Sequence, residues 1–93
     1  MKTLFMLMAE YGTGQIPLER CAALFGLTPP EAAKRAARAA LPVPAFRLAS
    51  QKSPWLVDAS ALADFLDKQR ERAEEEWRRV RADVVSFQTR KVS

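Results

Sequence analysis

The spacing of apolar positions changes along this 93-residue chain, and each change marks an element. Leu18, Cys21, Ala22 and Phe25 fall at i, i+3, i+4 and i+7, the stripe of one helix face. Pro17 suits the first helical position, where its missing N–H would be orphaned in any case. Gly26, just past the stripe, predicts a left-handed stop with Leu27 folding back on the helix end. Thr28-Pro29-Pro30-Glu31 then reads as a capping box with proline at the start of a second helix, expected over 29–40. Two helices joined by so short a turn cross steeply, so 17–41 is a helix-turn-helix candidate. On the second helix, at about 100° per residue, Glu31, Lys34, Arg35 and Arg38 share one arc. Ala33, Ala36, Ala37 and Ala40 share the opposite arc and are expected to pack on the first helix, presenting the basic arc outward. The same residues would also make an ordinary solvated helix, because Ala, Lys and Arg are all good helix formers.

The flanking segments complete the pattern. Residues 3–9 are continuously apolar, so periodicity does not separate a strand from a short helix. Gly12 and Gly14 predict a turn into a brief strand at Gln15 and Ile16. After the second helix Pro42 and Pro44 enforce extended backbone. Residues 45–48 alternate, ASQKSP is polar, and 55–57 is strand-like, which together read as a hairpin with Phe46 and Trp55 as anchors across it. Asp58 is a good N-cap for a last helix, tied to the core through Leu62, Phe65 and Leu66. Its apolar positions continue through Gln69, Ala73, Trp77, Val80, Val84 and Phe87 as a near-heptad seam with one stutter. A helix over 59–87 would measure ~43 Å against a body roughly 25 Å across, so it should project. A projecting apolar seam at Ala73, Trp77, Val80, Val84 and Phe87 is expected to pair with a second copy. Glu74 with Arg78, Glu75 with Arg79 and Asp64 with Lys68 are acid-first i,i+4 pairs that support the helix.

Charge and composition narrow the function. The net charge is +4, and all of the excess lies in residues 1–57, which hold seven Lys/Arg against three acids. Between residues 32 and 57 stand Lys34, Arg35, Arg38, Arg47 and Lys52 with no acid. That asymmetry is the footprint expected of a nucleic-acid-binding face. A single cysteine excludes an internal disulfide and suits a reducing compartment. With no histidine, Ser-His and Cys-His mechanisms and the common zinc sites are removed, so neither catalytic nor metal-ligating residues are expected and no cofactor is implied. The opening LFMLMA is too short for a signal peptide or a membrane span and meets Glu10 without a cleavage pattern.

The stretches TLFMLMAEYG, QIPLERCAALFGLTP and RLASQKSPWLVDASALADFLDKQRERA resemble the pyocin activator (PrtN) family over nearly the whole chain to about Arg72. More broadly the chain is similar to excisionase- and MerR-like winged helix-turn-helix proteins, although its wing is poorer in arginine. The resemblance implies a bacterial DNA-binding transcriptional activator of bacteriocin or prophage genes, cytoplasmic and nucleoid-associated.

The expected fold is mainly α (α+β): a winged helix-turn-helix over 1–68 with a small hairpin wing, a projecting helix over 69–88, and a tail over 89–93. The expected partners are double-stranded DNA and a second copy of the chain, with RNA polymerase as a further candidate and no membrane. Arg35 and Arg38 are placed for bidentate base contacts, and Lys34 for a phosphate. Thr28 with the helix N-terminus is a phosphate candidate, and Arg47, Gln51 and Lys52 of the wing would fix register on the backbone. Two other readings fit the same residues: an excisionase-like DNA-bending factor, and a protein adaptor acting through the last helix.

Overall fold

A computed structural model describes the backbone of residues 2–92 and the side chains of residues 2–84. The apolar opening is a helix, α1 (Lys2–Tyr11), which buries Thr3 and Leu7 one turn apart. The Thr3 hydroxyl lies 2.5 Å from the Asp67 carboxylate, to which it donates. Phe5 and Met6 point away from the core and are exposed. Gln15–Pro17 form β1, so Pro17 closes a strand instead of opening the helix as expected. The pairing gives the reason: Pro17 stands opposite Leu56, and the Leu18 N–H donates to the Trp55 carbonyl at 2.8 Å. A proline is harmless there, since β1 is an edge strand.

The first helix of the expected pair is a single α-turn, α2 (Leu18–Cys21), tightening into a 3-10 turn (Ala22–Phe25). Gly26 takes φ 74, and the N–H groups of Gly26 and Leu27 close on the carbonyls of Ala23 and Ala22. This is the glycine stop read from the stripe. The second helix, α3 (Pro29–Ala37), follows, and then the strands β2 (Ala45–Phe46) and β3 (Leu56–Asp58). The hairpin is shorter than the alternation at 45–48 predicts, and Leu48 is left exposed. β3 lies between β1 and β2 in one antiparallel sheet, with Val57 opposite both Ile16 and Ala45.

The Asp58 carboxylate accepts from the Ser60 and Ala61 N–H groups and starts α4 (Ala59–Val92). Ile16, Cys21, Val57 and Leu62 are the largest fully buried side chains, so the core sits where the sheet, α2 and the start of α4 meet. Phe65 and Leu66 pack on its margin, Phe65 with its ring 5.3 Å from that of Phe25. Past Gln69 every described side chain of α4 is exposed, including Ala73, Trp77, Val80 and Val84. The molecule accordingly measures 67 × 27 × 16 Å. The side chains of 85–93, that of Phe87 among them, lie outside the described residues. Among the described residues no helix is long and apolar enough to cross a membrane.

Candidate nucleic-acid interface

α3 is built at its start by the capping box. The Thr28 oxygen accepts from the Glu31 N–H at 3.3 Å, and the Glu31 carboxylate accepts from the Thr28 N–H at 3.1 Å and the Thr28 hydroxyl at 2.8 Å. The Thr28 side chain, then its backbone N–H, holds the Glu31 carboxyl below the usual glutamate range, with smaller contributions from Arg35 and Lys34. This geometry works against a phosphate at Thr28, because the helix N-terminus already faces a carboxylate.

At its other end α3 stops at Ala37, with Arg38 as C-cap, three residues short of the expected 40. Ala39 takes φ 54, and the N–H groups of Ala39 and Ala40 return to the carbonyls of Ala36 and Arg35. The hydrogen bonds are those of a glycine-type stop, made here by alanine. The packed edge also differs from expectation: Ala32 and Ala36 are buried, Ala33 is half-buried, and Ala37 and Ala40 are exposed. A face crossing its neighbour steeply touches along one i,i+4 line only, and the residues beyond the stop turn away from it.

Lys34 lies opposite that line, Arg35 on its flank and Arg38 at the C-cap, and all three are exposed. Among the described residues the one ion pair within 4 Å, Arg79 with Glu75, lies far along α4 and leaves this arc free. Pro29, Pro30 and Ala33 of α3 share an open cleft with Pro54 and Trp55, so the hairpin stands beside α3. In the hairpin, Arg47 is engaged internally. Its guanidinium lies 4.1 Å from the Trp55 ring centre and donates to the Gln51 carbonyl, while its Nε is buried without a partner. Continuing the register of Phe46 with Leu56 places Arg47 across from Trp55, and that is the signal sequence reasoning missed. Ser50 and Ser53 fold the loop: the Ser53 N–H donates to the Ser50 carbonyl, and the Ser50 N–H to the Ser53 hydroxyl. Gln51 and Lys52 are thereby held exposed at the tip.

Burial pushes the Cys21 thiol up, so it stays protonated at neutral pH. Among the described residues no three His, Cys, Asp or Glu side chains are grouped to hold a metal. Neither the curated proteins nor the solved structures offer a match to the chain. Among protein families, residues 3–73 match pyocin activator protein PrtN. That match spans α1, the helix pair, the sheet and the buried part of α4, and on it the chain belongs to the pyocin activator protein PrtN family.

Proposed function

We propose that the chain is a sequence-specific double-stranded DNA-binding activator of pyocin or prophage genes, acting as a dimer through α4. The family role is regulatory, in pyocin gene activation. The observation that carries the reading is the exposed basic cluster of Lys34, Arg35 and Arg38, on α3 and at its C-cap and outside the buried Ala32–Ala36 line. Helix, turn, helix and a hairpin beside the second helix are the parts of a winged helix-turn-helix, in which the second helix enters the major groove. Arg35 and Arg38 offer planar forks to guanine edges, and Lys34 offers a compact charge to a phosphate. Lys52 and Gln51 at the hairpin tip reach the flanking backbone. Arg47 and Thr28 support the reading as structural residues, the one bracing the hairpin on Trp55 and the other capping α3.

This division of labour is testable by binding to duplexes carrying every single-base change. Arg35→Ala is expected to cost ~1–3 kcal/mol and relax preference at one position. Lys52→Ala is expected to weaken all sequences alike. Equal loss of preference in both variants would refute it.

A further inference from the structure

α1 is apolar on two sides, and its own core uses only one of them. Thr3 and Leu7 are buried, and Leu4 and Tyr11 pack against the core beside them. On the other side, at about 100° per residue, Lys2, Phe5, Met6 and Ala9 share one arc with Glu10 at its margin, and all five are exposed. Phe5 is 74% exposed and Met6 61%. The charges at the two ends run against the helix. Lys2 stands at the positive N-terminal end and Glu10 at the negative C-terminal end, with no acid in the first turn and no base in the last. Arg20 lies over the Tyr11 ring and donates to the Tyr11 carbonyl, and it makes no ion pair with Glu10.

We propose that this outer face of α1 binds the same face of a second copy, the two helices antiparallel, with Phe5 of each beside Met6 of the other. In that register Ala9 comes level with Lys2 of the second copy, and its single methyl leaves room for the lysine stem. The ammonium then reaches Glu10, one residue further along, and the pair forms twice by the two-fold symmetry. Each charge that opposes the dipole of its own helix thereby meets the opposite charge and the opposite helix end of the other copy. A parallel pair would set Lys2 against Lys2 and Glu10 against Glu10. The bodies are no obstacle, because α1 packs on α4 on the side away from this face, so they stand on opposite sides of the helix pair.

The contact is small. One face of a ten-residue helix offers less than the ~800 Å² per partner of a standard interface, so association through it alone is weak and depends on concentration. It does not require the α4 pairing proposed above. Where both operate, two isologous contacts on one chain join dimer to dimer, and copies on neighbouring DNA sites bind cooperatively. That consequence alone rests on the function proposed above.

Sedimentation equilibrium of the full chain from micromolar to millimolar concentration tests the contact in a Trp77→Glu/Val80→Glu background. Both side chains are exposed, so these changes remove the α4 seam and leave the core untouched, which circular dichroism checks. That protein is expected to dimerise still, and adding Phe5→Glu to raise its dissociation constant about tenfold or more. In the same background Lys2→Glu and Glu10→Lys are each expected to weaken pairing severalfold, and the two together in one chain to restore it. A monomer at every concentration, or a dimer that Phe5→Glu leaves intact, overturns the contact. Dimers lost with Phe5→Glu but not restored by the paired charge exchange overturn the antiparallel register.

Discussion

At Ala39 the chain takes φ 54, a left-handed conformation that places Cβ against the carbonyl and costs an L-residue roughly 1–2 kcal/mol. Ala39→Gly is therefore expected to stabilise the protein by about 0.5–1 kcal/mol, the gain being reduced by the greater freedom of glycine in the unfolded chain. Urea unfolding of the two proteins measures this. At the opposite end of α3, the Glu31 carboxyl is held below its ordinary range by Thr28, so its contribution is present above the unfolded glutamate pKa. It is lost as pH falls through the lower folded value. The stability difference between wild type and Glu31→Gln should be constant near neutral pH and shrink below about pH 4.3, which unfolding at stepped pH follows. Thr28 and Glu31 were legible in the sequence because a capping box is local, three residues apart. Ala39 was not, because nothing in an alanine announces positive φ; the stop comes from Arg35 and Ala36 carbonyls finding donors.

Elements were legible where one period governed them. The stripe from Leu18 to Phe25, the glycine stop and the Asp58 cap all stand as read. Where tertiary pairing decided, local reading fell short. Pro17 belongs to the strand because β3 supplies a partner from residue 56, 39 residues away in sequence. The alanine arc of α3 narrowed to Ala32 and Ala36 because the crossing with α2 selects one line of contact. Arg47 looked like a free donor on an alternating strand, yet the hairpin register sets it on Trp55. Arg47→Ala is expected to destabilise the fold by about 0.5–1 kcal/mol through the lost cation–π contact, with its main effect on hairpin order. Faster amide exchange at Phe46 and Leu56 than at Ile16 would show this. Unchanged exchange together with weakened DNA binding would make Arg47 a DNA contact instead.

For the whole molecule, the charge excess in residues 1–57 and the length of α4 were both visible in the sequence. The exposed apolar side of α1 was not, because a continuous run of apolar residues conceals which side faces inward. The body carries the basic arc and the hairpin, and α4 carries the seam away from them, so the proposed DNA reading and pairing would fall to separate parts of one small chain. Half-sites of a dimer paired through α4 are expected with centres one or more turns, ~34 Å each, apart. The central claim, that the α3 arc reads duplex DNA, is tested most directly by selection from a random duplex library at two salt concentrations. The wild type is compared with Arg35→Ala/Arg38→Ala. The account predicts steeply salt-dependent, sequence-selective binding to paired half-sites that the double variant loses. Absence of binding by the wild type at either salt concentration, or selectivity retained by the double variant, would contradict it.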